Sequence, residues 1–329
     1  MTTRTQILAR AHTQADEPTL GAALEMVEAQ LAAQIRSREE LLSDISNYLI
    51  GSGGKRVRPM VTLLVFRACG GRELRDMVDV AAALELIHSA SLLHDDIIDG
   101  SAVRRGKDSA YRKYGLANAL VTGDFIFSRA FQLCARFEEK LINWAAEACI
   151  SLTEGEVMQG RFRHNPAVTF QDYIEIISRK TASIFQQGAR TAAYLAGAAE
   201  PVVESMGACG FNVGMTFQVV DDLLDVEGTE ERVGKPVGID LRDGNPSLPI
   251  VLAVRCDPEV ARAFQSPELS ASEIAYIRGR IRASGVLAEA RALAAEYGER
   301  ARRALEVLPP SPDRDGVAAV IDQLLHRQE

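Results

Sequence analysis

The 329-residue sequence lacks several features that mark common protein classes. Its five cysteines are odd in number and scattered through apolar segments, which argues against a disulfide framework or a zinc site and favours buried reduced thiols. No apolar run approaches the length of a membrane span, and no secretory leader is recognisable at the N-terminus. We therefore expect a cytoplasmic protein without a membrane span.

The chain also has fewer basic than acidic residues. The 37 lysines and arginines are outnumbered by 45 aspartates and glutamates, which leaves a net charge of -8 at pH 7. Nucleic-acid binding needs a broad basic face, so a nucleic-acid partner is not expected. The chain is 47% hydrophobic with a mean hydropathy of -0.03, which is the balance of a globular protein with a large core.

Strand signals are missing as well, because no run of alternating apolar and polar residues is joined to a hairpin turn. Helical periodicity extends from one end of the chain to the other instead. Helices are predicted over 20–50, 77–99, 118–141, 142–162, 169–197, 202–228, 272–284, 286–308 and 315–325. No linker divides the chain, so the sequence predicts an all-α fold in a single domain, residues 1–329. The longest non-helical stretch, 228–249, is expected to be a lid over a site.

The most informative pattern is an acidic cluster, D-D-x-x-D, that occurs twice inside apolar helical stretches. Its residues are Asp95, Asp96 and Asp99 in the first copy, and Asp221, Asp222 and Asp225 in the second. Residues i and i+4 share a helix face, so each copy projects two carboxylates in one direction. A solvated helix end often produces one such cluster, but an exposed face does not explain two copies flanked by Leu, Ile, Val and Phe. Because Mg²⁺ takes oxygen ligands and completes its shell with substrate phosphates, the pair predicts a magnesium–diphosphate site.

Basic residues that could meet such phosphates also occur in groups. The segment GSGGKRVRP at 51–59 combines glycines, which permit close approach, with donors from Lys55, Arg56 and Arg58. Arg104 and Arg105 directly follow the first acidic cluster, and planar guanidinium groups match phosphate oxygens. The grouping predicts two phosphate-bearing ligands, one held through metal and one held directly by Lys and Arg.

In combination, these segments resemble a known motif set. GGKRVRP, HDDIIDGSAVRRG, SRKTA, FQVVDDLLD and KPVGIDLRDGNPSLP occur in the order typical of trans-isoprenyl diphosphate synthases, the polyprenyl synthetase family. The resemblance implies the isoprenoid synthase fold, a bundle of helices around a deep central cavity, usually as a homodimer. It also implies condensation of isopentenyl diphosphate with an allylic diphosphate, which lengthens an all-trans chain by five carbons. Two or three Mg²⁺ ions would be needed, and Mn²⁺ could replace them.

The resemblance further assigns roles to single residues. All six aspartates would together hold Mg²⁺ on the allylic diphosphate, and the five expected as direct metal ligands are Asp95, Asp96, Asp99, Asp221 and Asp225. Asp222 belongs with them to the catalytic set, and Arg104 would bind the same diphosphate. The residues expected to bind isopentenyl diphosphate are Lys55, Arg58, His88 and Arg105. Those expected to line the allylic diphosphate and the developing cation are Lys180, Thr181, Gln218 and Lys235.

One position departs from the family pattern, and two other functions are possible. Many members have Gly-Lys where this chain has Gly244 and Asn245, which argues against a third phosphate-binding lysine in that segment. A class I terpene cyclase would also carry an aspartate-rich helix, but it would usually lack GGKRVRP and the second cluster. A non-catalytic partner subunit would be expected to have lost acids from one cluster, whereas both are complete here.

Product length is predicted from the helix that carries the first cluster. Ser91 and Ala90 precede Asp95 by four and five residues, which is about 6–7 Å along a helix. Synthases resembling this one that stop at short products tend to place an aromatic residue there, or two extra residues in the cluster, and this chain has neither. We therefore expect hexaprenyl diphosphate or a longer product, with geranylgeranyl diphosphate as the alternative. The candidates for the floor of the tunnel are Ile87 and Leu84, or Phe127 and Phe131 from the following helix.

Overall fold

The computed structural model describes residues 18–51, 54–104, 106–228 and 237–327. Regular structure in these ranges is almost entirely α-helical, which confirms the all-α prediction. The helices are α1 (Leu20–Gln34), α2 (Glu40–Ile50), α3 (Val57–Ala68), α4 (Leu74–Ile98), α5 (Ala110–Tyr114), α6 (Leu116–Cys134), α7 (Glu139–Arg161), α8 (Phe170–Ile177), α9 (Ser183–Leu195), α10 (Glu200–Glu227), α11 (Ile239–Asp243), α12 (Leu248–Ala253), α13 (Pro258–Gln265), α14 (Ala271–Ala283), α15 (Val286–Leu305) and α16 (Pro312–Leu325). A π-helical segment (Ser178–Ala182) joins α8 to α9, and the strands β1 (Val103–Arg104) and β2 (Lys107–Asp108) pair antiparallel.

The chain divides into two compact units. The first comprises Met1–Glu147, Gln187–Gly210 and Ala304–Val320, and the second comprises Ala148–Gln186, Phe211–Arg303 and Ile321–Glu329, of which the described residues are considered below. The single domain over residues 1–329 stays a prediction.

The first unit is built around α4, which packs against α1, α3 and α6. Close helix approach there depends on small residues. A Cβ atom added to Gly123 of α6 would lie 2.2 Å from His94 Nε2, and one added to Gly188 of α9 would lie 2.8 Å from Leu84 Cδ1. Glycine at these two positions therefore lets the neighbouring elements pack directly on α4.

Helix α4 is long and apolar enough to span a membrane by length and composition alone, so the sequence-based statement that no run approaches that length is wrong. However, 78% of its apolar window is buried inside the protein. Packing on several neighbouring helices explains this composition, because a helix that is apolar on most sides is often a core helix.

The second unit has its own hydrophobic core, to which α8, the later part of α10 and the helices α12 to α15 contribute. Tyr173 and Phe264 are among its fully buried side chains. Two glycines bring the π-helical segment close to its neighbours. A Cβ atom on Gly214 of α10 would lie 2.7 Å from Ala182 Cα, and one on Gly155 of α7 would lie 2.7 Å from the backbone nitrogen of Lys180. The segment therefore packs directly against both helices.

Several predicted boundaries are wrong. The single helix expected over 20–50 is two helices, because the Ser37 N–H donates to Ser43 Oγ at 2.8 Å instead of continuing the helical ladder. The helix expected over 118–141 ends at Cys134. The β1–β2 hairpin was missed, since two-residue strands are too short to show an alternating pattern. The stretch expected as a non-helical lid, 228–249, contains α11 and the start of α12, and residues 229–236 lie outside the described ranges.

Candidate active site

The first acidic cluster occupies the last turn of α4. Asp95 and Asp96 are buried, with 9% and 1% exposure, and Asp99 ends the helix with its N–H donating to the Asp95 carbonyl at 2.8 Å. Asp95 and Asp99 are therefore one turn apart on a regular helix, as their spacing predicted. The cluster therefore lies at the end of a long and largely buried helix.

The hairpin that follows α4 returns a guanidinium group to this cluster. Arg104 in β1 pairs with Lys107 in β2, and its Nε donates to Asp96 Oδ1 at 2.6 Å. Burial raises the pKa of Asp96, while the charge and hydrogen bond of Arg104 oppose that rise. Within the described part of the chain, the buried Oδ2 of Asp96 has no hydrogen-bond partner. This oxygen can therefore accept a cation.

The second acidic cluster lies near the end of α10, and Asp222 is its most enclosed member. Asp222 Oδ2 accepts hydrogen bonds from the Tyr173 hydroxyl at 2.8 Å and from the Leu248 N–H at 2.9 Å. Its Oδ1 accepts from Gln218 Nε2 at 2.8 Å. Burial raises the pKa of Asp222 to about 7, although these hydrogen bonds act in the opposite direction. Asp222 thus fastens the beginning of α12 to α10.

Asp225 holds the chain where it returns after residues 229–236. Its carboxylate accepts from the N–H groups of Ile239 and Asp240, each at 3.1 Å, and therefore caps α11. Its carbonyl accepts from the Gly238 N–H at 2.9 Å. Asp221 differs from both neighbours, because its side chain is 32% exposed and lies 3.5 Å from Arg327 Nη1. Asp221 is the member of this cluster most accessible to a ligand.

A chain of hydrogen bonds links other predicted residues to the second cluster. Thr181 Oγ1 donates to Gln218 Oε1 at 2.8 Å, and Gln218 in turn donates to Asp222. Thr181 belongs to the π-helical segment, a kind of irregularity that is frequent at functional sites. The structure thus brings Thr181 and Gln218 together beside the aspartates of α10.

Lys180, the neighbour of Thr181, forms an ion pair with Glu156 of α7, which is 8% exposed. Sequence reasoning missed both Glu156 and the phenol of Tyr173. Neither residue belongs to a recognisable motif, and Tyr173 is 49 residues from its partner Asp222. Only tertiary packing identifies them.

The basic segment at the start of α3 divides its residues between surface and interior. Lys55 is exposed and Arg58 is half-buried. Arg56 is 4% exposed, and its guanidinium lies 2.7 Å from the carboxylates of both Glu28 and Glu85. The expectation that Arg56 supplies a donor for phosphate is therefore wrong, because the first unit uses that group internally.

The face of α4 that was expected to guide the product is buried. Ala90 is 0% exposed and Ser91 7% exposed, and the candidates for the floor, Ile87 and Leu84, are 1% and 5% exposed. His88, between them, is half-buried. All of these residues lie on one continuous helix that ends at the first acidic cluster.

The two phenylalanines of α6 differ from that buried face. Phe127 is half-buried and stacks on His94, with ring centroids 5.8 Å apart. Phe131 is 40% exposed, which counts against it as an interior floor. Ile87 and Leu84 are the better-placed candidates.

Comparison with known proteins identifies the family. Residues 39–277 match the family described as polyprenyl synthetase. The chain belongs to this family. Its recognition from the sequence motifs is therefore confirmed.

Individual members of the polyprenyl synthetase family match over most of their length. The chain is 36% identical over 296 residues to octaprenyl diphosphate synthase of Escherichia coli strain K12, covering 88% of this chain and 91% of that one. It is 35% identical over 293 residues to heptaprenyl diphosphate synthase component 2 of Geobacillus stearothermophilus, with the same two shares covered. A solved polyprenyl synthase from Caulobacter crescentus CB15, complexed with calcium and isoprenyl diphosphate, has a TM-score of 0.91 at 32% identity, covering 99% of this chain and 98% of that one. The predicted isoprenoid synthase fold is confirmed.

A metal ion in this protein would have few protein ligands. Among the described residues, no group of three or more His, Cys, Asp or Glu side chains is arranged to hold an ion. Mg²⁺ does not need such a group, because it usually takes one or two carboxylates and completes its shell with waters and substrate phosphates. Within the first unit, the buried Oδ2 of Asp96 fits that requirement; within the second unit, the partly exposed carboxylate of Asp221 does so separately.

Three positions named from the family motifs need separate statements. Arg105 and Lys235 lie outside the described residues. Asn245, the departure from the family pattern, accepts hydrogen bonds through Oδ1 from Gln159 Nε2 at 3.0 Å and from Arg163 Nε at 3.2 Å. Its amide therefore fastens the segment before α12 to the end of α7, a contact that the sequence did not indicate.

Proposed function

We propose that this polyprenyl synthetase is a trans-prenyltransferase that condenses isopentenyl diphosphate with an allylic diphosphate to give a medium- or long-chain all-trans polyprenyl diphosphate. The observation that carries the proposal is the buried first acidic cluster. Asp96 Oδ1 accepts a hydrogen bond from Arg104, and its Oδ2 has no hydrogen-bond partner in the described chain. A buried carboxylate oxygen that accepts no hydrogen bond favours a cation as its ligand. The names of the relatives, octaprenyl and heptaprenyl diphosphate synthase, support a product longer than the alternative, geranylgeranyl diphosphate.

In the proposed reaction, the carbon–oxygen bond of the allylic diphosphate breaks and leaves an allylic cation. The double bond of isopentenyl diphosphate forms the new carbon–carbon bond to that cation, and loss of one proton completes the product. The dipoles of Thr181 and Gln218 stabilise the developing allylic cation. Their hydrogen bonds to each other and to Asp222 fix their orientation before the reaction. The released diphosphate can take the proton, so no protein base is required.

When bound, Mg²⁺ would act as a Lewis acid and template that neutralises the leaving diphosphate, with two or three ions and Mn²⁺ as a substitute. The proposed ligands are Asp95, Asp96, Asp99, Asp221 and Asp225. Asp222 would orient α12 and Gln218 beside them, consistent with its hydrogen bonds. Arg104, Lys180 and Lys235 are proposed to bind the allylic diphosphate itself, because cations with several donors suit phosphate oxygens.

Isopentenyl diphosphate is proposed to bind directly to the protein, without metal. Lys55, Arg58, His88 and Arg105 are its proposed partners. Support comes from the position of Lys55 and Arg58 at the start of α3, where the exposed and half-exposed side chains can reach a ligand. Arg56 is excluded from this group, since Glu28 and Glu85 hold its guanidinium.

A homodimer is proposed from the exposed apolar residues of α6. Leu116, Leu120 and Phe131 share one face of this helix and are 56%, 43% and 40% exposed. Large apolar side chains exposed on a helix favour contact with another protein, and a second copy of the chain is the proposed partner. Leu120→Glu is expected to give monomer in sedimentation at micromolar protein, and a monomeric wild-type chain would contradict the proposal. A cytoplasmic location is proposed from the five free cysteines.

One assay separates the proposed function from its rivals. The purified chain is incubated alone with farnesyl diphosphate, with and without isopentenyl diphosphate, and with Mg²⁺ or excess chelator. We expect elongated products only when isopentenyl diphosphate and Mg²⁺ are both present. A cyclic hydrocarbon formed without isopentenyl diphosphate would indicate a terpene cyclase. Activity that appears only after a second protein is added would indicate one component of a two-component synthase, and full activity in chelator would reject the metal role.

A further inference from the structure

Two arginines hold the last turn of α10 from outside the helix. Arg278 Nη2 donates to the carbonyls of Val226 at 2.9 Å and Gly228 at 2.7 Å. Arg282 Nε donates to the Val226 carbonyl at 2.9 Å, and its Nη2 donates to the carbonyls of Glu227 at 3.2 Å and Gly228 at 3.3 Å. The two arginines are four residues apart on α14, so they lie on the same face of that helix.

These contacts complete the hydrogen bonding at the end of α10. The last four carbonyls of an α-helix have no partner within the helix. Here the Leu224 carbonyl accepts from the Gly228 N–H, and the Asp225 carbonyl accepts from the Gly238 N–H, each at 2.9 Å. The arginines take the other two carbonyls, and their positive charges also suit the negative end of the helix dipole. The C-terminus of the helix that carries the second acidic cluster is therefore capped by side chains from α14.

Arg278 also contacts the chain beyond residues 229–236. A Cβ atom added to Gly238 would lie 2.7 Å from Arg278 Cδ, so the backbone approaches this side chain closely. The next two residues, Ile239 and Asp240, donate their N–H groups to the Asp225 carboxylate. Arg278 thus braces both chain segments that surround Asp225.

We propose that Arg278 and Arg282 are positioning residues for the second acidic cluster. They fix the last turn of α10, and through it the orientation in which Asp221 and Asp225 meet a magnesium–diphosphate group. A metal–substrate site needs its carboxylates held to within about 0.5 Å, which a fraying helix end cannot provide. The proposal rests on the proposed function. Both arginines lie beyond residues 39–277, the part that matches the family, so the family motifs do not assign them.

The test uses substitutions that remove the guanidinium and keep the apolar stem: Arg278→Met, Arg282→Met and the double variant. Arg280→Met is the matched control, because Arg280 lies on the same helix and pairs with Asp257 at 2.7 Å and Glu259 at 2.9 Å instead of with α10. Calorimetry measures the Kd of an unreactive farnesyl thiolodiphosphate in the presence of Mg²⁺. Hydrogen exchange measures the protection of the amides of residues 238–240. Steady-state assays measure kcat and the KM for isopentenyl diphosphate.

We expect the Kd to rise about tenfold or more in the double variant, with faster exchange at residues 238–240 and an unchanged KM for isopentenyl diphosphate. The Kd of Arg278→Lys should lie between those of wild type and Arg278→Met, because lysine restores the positive charge but not the planar guanidinium. Arg280→Met should lose thermal stability without either effect. Wild-type Kd and exchange in the double variant would overturn the proposal, and so would an equal loss of affinity in Arg280→Met. If the wild-type chain makes no product, the proposed function fails, while the binding and exchange measurements still decide the role of the arginines.

Discussion

Arg104 Nε lies 2.6 Å from Asp96 Oδ1, and the two side chains differ in their surroundings, because that of Asp96 is 1% exposed and that of Arg104 is 28% exposed. The carboxylate lost its hydration when α4 packed into the first unit, and the guanidinium, which reaches it from a hairpin at the surface, compensates for that loss. The charge and hydrogen bond of Arg104 also oppose the rise in the pKa of Asp96 that burial causes. Arg104 is thus important for the stability of the protein as well as a proposed ligand of diphosphate.

The first prediction concerns this pair. Arg104→Met leaves the buried Asp96 carboxylate without its cation and is expected to lower the free energy of unfolding by about 1–3 kcal/mol in the presence of chelator. Arg104→Met combined with Asp96→Asn should recover most of that loss, because a neutral amide needs no cation. Urea unfolding of the four proteins in the double-mutant cycle measures the coupling.

A surface pair provides the control for that cycle. Arg136 pairs with Asp76 and Asp79 at the surface of the first unit, and the three side chains are 41%, 50% and 15% exposed. Arg136→Met is expected to cost no more than about 1 kcal/mol, since solvent screens such pairs. Equal losses in Arg104→Met and Arg136→Met would contradict the importance assigned to burial at Asp96.

The second prediction concerns turnover. Asp95→Ala removes one carboxylate from the first cluster and is expected to lower kcat by at least about 100-fold, the scale of losing a group that stabilises charge in the transition state. The fold should persist, because alanine is the best helix former and Asp95 lies inside α4. Asp44→Ala, at an exposed position of α2, is the control and should leave kcat unchanged. Near-normal turnover in Asp95→Ala, with circular dichroism unchanged, would reject the model of two aspartate clusters.

The third prediction is a pH dependence of stability. Asp257 caps α13, and the hydrogen bond from Arg280, helped by two backbone N–H groups, lowers the pKa of its carboxyl. A carboxyl with a lowered folded-state pKa stabilises the protein above its unfolded value of about 3.9, and this stabilisation is lost as the pH falls through the folded-state value. Asp257→Asn keeps an N-cap acceptor and removes the charge. Its melting temperature should therefore lie below wild type at neutral pH, and the difference should close under acidic conditions. Melting curves across that range test this, and a constant difference would contradict the assignment.

The helices that carry the site could be predicted because apolar periodicity is a local property. The helix expected over 77–99 is α4, Leu74–Ile98, and the helix expected over 202–228 is α10, Glu200–Glu227. The two acidic clusters could therefore be placed near the ends of two helices from spacing alone. Breaks within long apolar stretches were harder, since the turn after α1 is stabilised by hydrogen bonds between Ser37 and Ser43 that leave no apolar signal.

The polar contacts inside the units could not be predicted, because they join residues far apart in the chain. Arg56 looked like a phosphate donor, but its partners Glu28 and Glu85 are 28 and 29 residues away. Arg278 and Arg282 bind backbone carbonyls, which every residue has and which therefore leave no trace in the sequence. Motifs indicate which residues are expected to carry chemistry, whereas packing determines which residues hold them in place.

The last prediction concerns product length. If the growing tail runs along α4 away from Asp95, the small side chains of Ala90 and Ser91 let it pass, and Ile87 and Leu84 form the next barrier, because all four residues are buried on the same helix. Ala90→Phe or Ser91→Phe would place a ring across that path and shorten the product by several isoprene units without abolishing catalysis. Neighbouring residues point about 100° apart on a helix, so one variant should act more strongly than the other. Chromatography of the dephosphorylated products measures the length.

Overpacking must be separated from the effect of the ring on the tunnel. An added ring in a filled core costs about 1–3 kcal/mol, so each variant is first compared by thermal melting. Ala290→Phe is the control, because Ala290 is 0% exposed in the core of the second unit and should give a similar loss of stability with a wild-type product. A wild-type product that stops at farnesyl diphosphate would contradict the predicted length. Unchanged products from both the Ala90 and the Ser91 variant would show that the tail does not contact α4 at this level and follows a different path.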